Sequence, residues 1–284
     1  MIEFKIFEDL AFALQLAELA DTITMDRFLS TDLLVTVKPD MTPVSDADKA
    51  VELALRAAIA GSRPDDSVRG EEFGSAGESA RQWIIDPIDG TKNFVRGVPI
   101  WATLISLAVD GVPVVGVVSA PGLAKRWWGA TGLGAYVDDR IGNPETGSTT
   151  AGSTPAGSTP ADNHGSVRRI RVSQVAELAD ASISLSGITR WEMAGKLPQL
   201  LELTRQVWRT RDYGDMWPYM MVAEGLLEVS GEYDLQVYDM AALVPIVQEA
   251  GGRFSSVEGT AGPWHGSGLA TNSLLHDRVV AALA

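Results

Sequence analysis

Apolar and polar positions alternate at helical spacing over residues 3–29, where apolar side chains return every three or four residues. This pattern predicts a long amphipathic helix. A short apolar run at 33–37 predicts a strand, and a second helix is predicted to begin near Ser45, because a serine followed by acidic residues favours a helix N-terminus. The residues expected on the buried side of that second helix are Val51, Leu55 and Ile59.

Extended patterns dominate the middle of the chain. Residues 83–85 form a bulky apolar run that ends at an Asp-Pro and an Asp-Gly pair, which predicts a buried strand closed by a tight turn. Two longer apolar runs, 104–109 and 112–119, flank Asp110 and Gly111, a dipeptide typical of short β-hairpins. Two further strands of the same predicted antiparallel meander are 126–129 and 134–137.

Strand and helix patterns alternate in the last part of the chain, which predicts helices packed on a sheet. The predicted strands are 167–172, 181–185, 207–208, 226–229, 253–254 and 269–271. The predicted helices are 191–203, 215–223, 239–250 and 273–283. The chain is therefore expected to belong to the α/β (α+β) class.

Residues 142–165 interrupt these patterns. They contain a near-direct repeat of Gly, Ser, Thr, Ala and Pro at 147–160, and such a segment cannot recover its ordering entropy by apolar burial. We therefore predict an N-terminal α+β half at 1–141, a flexible surface insertion at 142–165 and a C-terminal α/β half at 166–284.

Composition excludes several classes of function. The chain has 284 residues and a formal net charge of −14, which argues against nucleic acid and anionic membranes as partners, because both require a cationic surface. It has no cysteine and three scattered histidines, so thiolate chemistry is excluded and a zinc site or a Ser-His-Asp triad is not expected. The absence of a long apolar run and of a signal-peptide pattern leads us to expect a cytoplasmic protein.

Two carboxylates, Asp86 and Asp89, follow the predicted strand at 83–85. The tight turn projects both acids, and the Ile88 carbonyl between them, into one small space. Mg²⁺ prefers such oxygen ligands and keeps water or phosphate in the rest of its shell. The alternative is an ordinary Asp-Pro/Asp-Gly turn, and the two residues alone do not decide between these interpretations.

Other acidic residues admit simple structural explanations. Asp46 and Asp48 suit the N-terminus of the second helix, and Asp215 and Asp239 suit the N-caps of two later helices. The Gly-Glu-Glu run at 70–72 could be solvated surface, although its position allows it to fold back beside the end of the central strand.

Four motifs in this order nevertheless resemble the inositol monophosphatase family of Mg²⁺-dependent, lithium-sensitive phosphomonoesterases. They are Gly-Glu-Glu at 70–72, Asp-Pro-Ile-Asp-Gly-Thr at 86–91, Tyr-Asp-Met-Ala-Ala at 238–242 and Ala-Gly-Gly at 250–252. The resemblance covers the chain apart from 142–165. It implies a layered α-β-α-β-α sandwich and, by analogy, a homodimer.

The same resemblance implies roles for individual residues. The implied metal ligands are Glu71, Asp86, the Ile88 carbonyl, Asp89 and Asp239. Thr91, together with Glu71, would orient the attacking water, and Asp48 would support a further metal ion. The backbone amides of Gly90 and Thr91 would bind phosphate. The implied cofactor is Mg²⁺, with Mn²⁺ as an alternative, at two to three ions per site, and the partner is a small phosphorylated substrate.

The substrate is predicted from the opposite end of the implied pocket. Residues 214–217 read Gly-Asp-Met-Trp where family members acting on inositol usually have Gly-Ser-Ala-Ala, and Glu232 matches a family acid that contacts the substrate. Acidic residues there favour a cationic leaving group. The chain thus most resembles the actinobacterial branch that hydrolyses L-histidinol phosphate in histidine biosynthesis. The alternatives are an inositol-1-phosphate or sugar-phosphate monophosphatase, and a non-catalytic metal-binding protein.

Overall fold

The computed structural model describes residues 2–39, 41–139, 141 and 167–284, so the predicted insertion at 142–165 lies outside the described residues. The helices are α1 (Ile2–Arg27), α2 (Asp46–Ser62), α3 (Thr91–Phe94), α4 (Ile188–Met193), α5 (Leu197–Gln206), α6 (Trp217–Glu224), α7 (Val237–Met240), α8 (Leu243–Glu249) and α9 (His276–Leu283). Among these residues no helix has the length and hydropathy needed to cross a membrane.

The strands form three sheets. They are β1 (Val35–Val37), β2 (Pro43–Ser45), β3 (Ser67–Gly70), β4 (Gly74–Ala76), β5 (Arg81–Asp89), β6 (Ala102–Val109), β7 (Val112–Ala120), β8 (Lys125–Ala130), β9 (Gly134–Asp138), β10 (Val167–Arg169), β11 (Ser182–Leu185), β12 (Arg209–Thr210), β13 (Val229–Tyr233), β14 (Arg253–Ser255) and β15 (Ser267–Thr271). The large sheet has the order β10-β9-β8-β7-β6-β5-β3-β4, the second has the order β12-β11-β13-β15-β14, and β1 pairs with β2.

Helices and the two larger sheets alternate in five layers. α1 and α2 cover one face of the large sheet, where Leu16 and Leu55 pack with Trp83. α6 and α8 lie between the two sheets, in a core that joins Trp127 of the large sheet to Phe254 of the second. α4, α5 and α9 cover the outer face of the second sheet. The predicted α-β-α-β-α sandwich is confirmed.

Two predicted helices are each divided in the structure. The helix predicted at 191–203 becomes α4 and α5, because Pro198 begins a new helix at its first turn. The helix predicted at 239–250 becomes α7 and α8. Pro245 has no N–H to donate to Ala241, and the Ala241 carbonyl instead accepts a hydrogen bond from Ser106 Oγ at 3.2 Å.

Two strands of the second sheet lie further along the chain than predicted. β12 is Arg209–Thr210 rather than 207–208, and Trp208 is exposed. β13 is Val229–Tyr233 rather than 226–229, which places Glu232 near the end of a central strand.

Candidate active site

The site is built around an irregularity in β5. Asp86 pairs with Leu104 of β6, but the next pair joins Asp89 to Ala102, so three steps along β5 match two steps along β6. In a regular strand, residues three apart point to opposite faces. The extra residue, as in a β-bulge, returns Asp89 to the side of Asp86. The tight turn predicted after 83–85 is therefore an irregular continuation of the strand.

Asp239 completes a cluster of three carboxylates. One oxygen from each of Asp86, Asp89 and Asp239 lies within 4.8 Å of the others. The N-cap interpretation of Asp239 is wrong: α7 begins at Val237, and Gln236 is the N-cap. Asp239 Oδ2 accepts a hydrogen bond from the Gln236 amide at 2.7 Å, so a capping box fixes the orientation of the carboxylate.

Glu71 and Glu72 border this cluster in the turn between β3 and β4. Lys38, in the turn between β1 and β2, donates hydrogen bonds to Glu71 Oε1 at 2.8 Å and to Glu72 Oε1 at 2.6 Å. Sequence patterns do not indicate this role, because Lys38 precedes a proline in a segment typical of an ordinary turn. Lys38 thus compensates the negative charges of the two glutamates.

Asp48, Thr91 and the Ile88 carbonyl form a second hydrogen-bonded group. Thr91 Oγ1 lies 3.1 Å from Asp48 Oδ1 and 3.0 Å from the Ile88 oxygen, and its one hydroxyl proton serves one acceptor at a time. Asp48 also accepts from the Ser45 amide at 2.7 Å and is fully buried. The capping box with Ser45 confirms the predicted capping role of Asp48. The other carboxylate oxygen of Asp48, Oδ1, is the one that faces Thr91.

Burial and mutual repulsion dominate the electrostatics of the carboxylates. Burial, followed by the charges of Glu71, Asp89 and Asp239, raises the pKa of Asp86 well above its ordinary value. Burial raises the pKa of Asp239 to about 7, against the opposing hydrogen bond from Gln236. Carboxylates so placed favour protons or a cation, and their oxygen atoms are the ligands that Mg²⁺ prefers. The residues present therefore fit a divalent metal ion.

A cavity of about 580 Å³ extends from these acids, and Gly90, Thr91, Asp215 and Glu232 all line it. Gly90 has a φ of 86° and is the N-cap of α3, so the first amides of α3 have no partner within the helix. Glu71, Asp89 and Asp239 line the same cavity, so it is continuous with the carboxylate cluster.

Asp215 is not the N-cap that its position suggested. α6 begins at Trp217 with Met216 as N-cap, and Asp215 precedes it with a φ of 51°. Asp215 Oδ2 accepts a hydrogen bond from Asn93 Nδ2 at 2.7 Å, and the Met216 amide donates to Asp89 Oδ2 at 2.7 Å. The segment is thereby tied to the carboxylate cluster.

Glu232 and Asp215 form an acidic wall of the cavity. Burial, followed by the charges of Asp215 and Asp212, raises the pKa of Glu232 to about 8. Burial raises the pKa of Asp215 to about 6, with Lys92 opposing the shift. Sequence reasoning missed Asp212 and Lys92, since an isolated charge in a predicted loop gives no signal of a distant partner.

These raised pKa values predict how the stability of the metal-free protein depends on pH. Acids with raised pKa values bind more protons in the folded chain than in the unfolded chain, so stability is lost as the pH rises through the folded pKa. Denaturant titrations should therefore show the free energy of unfolding falling as the pH passes 7 and 8, the pKa values of Asp239 and Glu232. Constant or rising stability over this window would contradict the prediction.

Two controls test whether Asp239 and Glu232 cause this pH dependence of stability. Burial lowers the pKa of His276 to about 4, which gives the opposite slope below the ordinary histidine pKa, so titration begins above about pH 6.5. Glu232→Gln should flatten the slope near pH 8. Mg²⁺ should raise the stability more at the alkaline end of the window, because protons compete with the metal for the same oxygen atoms.

Comparison with known proteins identifies the family. A profile described as the inositol monophosphatase family matches residues 7–284. The chain belongs to this family and is a phosphatase that hydrolyses phosphomonoesters. Family members depend on metal ions, in agreement with the cluster of carboxylates.

Two of the relatives named histidinol-phosphatase are about half identical to this chain. That of Streptomyces coelicolor is 50% identical over 280 residues, which cover 97% of each protein. That of Mycobacterium tuberculosis is 49% identical over 277 residues, which cover 97% of this chain and 98% of the relative. Among solved structures, an inositol monophosphatase from Zymomonas mobilis superposes with a TM-score of 0.78 at 27% identity and covers 97% of each chain.

Proposed function

We propose that this phosphatase hydrolyses L-histidinol phosphate to L-histidinol and inorganic phosphate in histidine biosynthesis. The observation that carries the proposal is the acidic wall of Asp215 and Glu232, which lines the same cavity as Asp89 and Asp239 of the carboxylate cluster. The two relatives named histidinol-phosphatase, at about half identity over nearly the whole chain, support the same substrate.

The metal end of the site would bind Mg²⁺, or Mn²⁺ in its place, at two to three ions per site. The proposed ligands are Glu71, Asp86, the Ile88 carbonyl, Asp89 and Asp239. Bound Mg²⁺ would neutralise the phosphate oxygens, lower the pKa of the attacking water and stabilise the leaving alkoxide.

Thr91 and Glu71 would orient the attacking water, while Asp48, which would support a further metal ion, holds the Thr91 hydroxyl. When the Thr91 hydroxyl donates its proton to Asp48 Oδ1 or to the Ile88 oxygen, its lone pairs are left to accept a hydrogen bond from water. Glu71, which lines the same cavity, would accept a hydrogen bond from the second O–H of that water. The amides of Gly90 and Thr91 would hold the phosphate in the path of attack.

The leaving group of histidinol phosphate carries an ammonium and an imidazole. Asp215 and Glu232 would accept charge-assisted hydrogen bonds from these groups. A neutral polyol offers no positive charge to compensate two partly buried acids, so the wall disfavours inositol phosphate.

The direct test is phosphate release from histidinol phosphate and from inositol-1-phosphate, at matched low concentrations and with Mg²⁺. We expect a large preference for histidinol phosphate. A preference for inositol-1-phosphate would contradict the proposed substrate while leaving the phosphatase chemistry intact. Asp89→Asn provides the blank for both reactions.

Thr91→Val tests the orientation of the water. Valine keeps the branched shape but removes the hydroxyl, so we expect kcat to fall about 10-fold, the value of one charge-assisted hydrogen bond. Thr91→Ser keeps the hydroxyl and is the matched control, and it should retain most of the activity. Steady-state rates at saturating substrate and Mg²⁺ give the comparison, and equal rates for the two variants would remove this role from Thr91.

The homodimer and the cytoplasmic location stay predictions from the sequence. Sedimentation of the purified protein measures the first, and fractionation of cells measures the second.

A further inference from the structure

A fully buried carboxylate in α2 lies behind the turn that carries Glu71. Glu52 Oε2 accepts a hydrogen bond from the Glu72 amide at 2.7 Å, and Glu52 Oε1 accepts one from the Phe73 amide at 3.1 Å. Arg56 Nε, one helical turn along α2, donates to the same Oε1 at 2.8 Å. The carboxylate of Glu52 thus binds the backbone immediately after Glu71.

Arg56 extends this connection to the other end of the turn. It also donates a hydrogen bond to the Gly74 carbonyl, the first residue of β4. Glu52 and Arg56 therefore hold both the beginning and the end of the turn formed by residues 71–73. We refer to these two side chains as the α2 clamp.

Gly70 shows that the turn is built to accept this carboxylate. A Cβ atom on Gly70 would lie 2.1 Å from Glu52 Oε1 and 2.4 Å from Glu52 Cδ. The φ of Gly70 is not in the left-handed region, so its backbone conformation does not require glycine. The close approach of Glu52 is the reason that the structure gives for glycine at this position.

Lys38 also restrains the turn, but it acts on the side chains of Glu71 and Glu72 rather than on the backbone. The turn lies at the edge of the large sheet, where β4 pairs only with β3 and all three of its residues are exposed. Phe73 within the turn is also exposed. A turn at a sheet edge with exposed side chains is expected to move unless polar contacts fix it.

We propose that Glu52 is a positioning residue, which fixes the backbone of residues 71–73 so that the Glu71 carboxylate faces Asp86. The inference rests on the proposed role of Glu71 as a metal ligand. Groups that orient a ligand, without touching the metal, typically affect metal affinity by about 10- to 100-fold when they are lost. Glu52 acts in this way through the main chain.

The test measures metal binding directly. Glu52→Gln replaces one acceptor oxygen by an amide group, which cannot accept from the backbone. We expect calorimetric titration of the metal-free protein with Mn²⁺ to show affinity about 10- to 100-fold weaker than in the wild type. The Mg²⁺ concentration for half-maximal activity should rise by a similar factor, while kcat at saturating Mg²⁺ recovers.

Glu228→Gln is the matched control. Glu228 immediately precedes β13, at the opposite end of this strand from Glu232, and its buried carboxylate accepts a hydrogen bond from the Ser182 amide at 2.7 Å. This variant should lose thermal stability as Glu52→Gln does, with no change in Mn²⁺ affinity. If both variants lose stability and neither loses affinity, Glu52 is merely structural and the inference is overturned.

Gly70→Ala provides an independent variant, which serves also if Glu52→Gln fails to fold. The added methyl group displaces the Glu52 carboxylate, so Mn²⁺ affinity should again fall. Because both substitutions act through one contact, the double variant should lose much less than the sum of the single losses. Additive losses would overturn the inference.

Asp89→Asn separates this inference from the proposed function. If Mn²⁺ affinity is insensitive to Asp89→Asn, the carboxylate cluster is not the metal site and the proposed function fails. If Asp89→Asn abolishes binding but the Glu52 and Gly70 variants bind normally, only the role of Glu52 fails.

Discussion

Asp89→Asn should lower Mg²⁺-dependent kcat by at least about 1000-fold while the protein remains folded. The substitution removes one of three clustered carboxylates and keeps the shape of the side chain. The remaining amide oxygen can still accept the hydrogen bond from the Met216 amide, so the segment before α6 stays in place. Phosphate release over a range of Mg²⁺ concentrations measures the loss.

The stability of this variant should change in the opposite direction to its activity. Burial, followed by the charges of Asp215 and Asp239, raises the pKa of Asp89 well above its ordinary value, so the ionised group destabilises the metal-free fold. A neutral asparagine removes that cost. The thermal midpoint of metal-free Asp89→Asn near pH 8 should therefore equal or exceed that of the wild type. Activity retained at saturating Mg²⁺ would remove Asp89 from the metal site.

Asp215→Asn should lower kcat/KM for histidinol phosphate by about 10- to 100-fold and leave the reaction with inositol-1-phosphate nearly unchanged. The charge that would pair with the cationic leaving group is lost, whereas an oxygen remains to accept from Asn93. Asparagine is the suitable replacement because the φ of Asp215 is 51°, a conformation that asparagine tolerates better than alanine. Initial rates with both substrates at low concentration give the ratio.

Asp234→Asn is the matched control for this variant. Asp234 lines the same cavity, also has a positive φ, of 64°, and pairs with Arg190 at the exposed rim. An exposed ion pair contributes little, so this substitution should change neither rate greatly. If Asp215→Asn reduces both reactions equally, the acidic wall does not select the substrate.

Much of the architecture could be predicted from the sequence because its periodic patterns are local. The stripe of Val51, Leu55 and Ile59 is buried as predicted, and Ser45 caps α2. The hairpin around Asp110 and the strand that contains residues 83–85 also follow from patterns within a few residues. Predictions were wrong where contacts between distant segments determine the local structure. The helix predicted at 239–250 is divided near Ala241, whose carbonyl accepts a hydrogen bond from Ser106 in a distant strand.

The residues of the site likewise fall into those that could be predicted from the sequence and those that only the structure brings to light. The motif residues could be named in advance, but which neighbours complete them depends on contacts between distant segments. Lys38 meets Glu71 across 33 positions, and Asn93 meets Asp215 across 122 positions. Asp239 was placed one turn too early in its helix, because a capping aspartate and a third-position aspartate look alike in sequence. Contacts between residues so far apart in the sequence can be identified only when the fold is known.

Because β5 pairs irregularly with β6, the carboxylate cluster depends on the number of residues between Asp86 and Asp89. Asp86 and Asp89 share a side because three steps on one strand oppose two on its neighbour. A regular ladder over the same residues would turn Asp89 toward the opposite face. Removing Pro87 would instead leave the two acids two steps apart on one side, but it would eliminate the irregularity that holds the Ile88 carbonyl beside Thr91. Protein engineers working on this scaffold should therefore keep both the number of residues from Asp86 to Asp89 and their irregular pairing with β6, because backbone geometry as well as side-chain identity places the two acids.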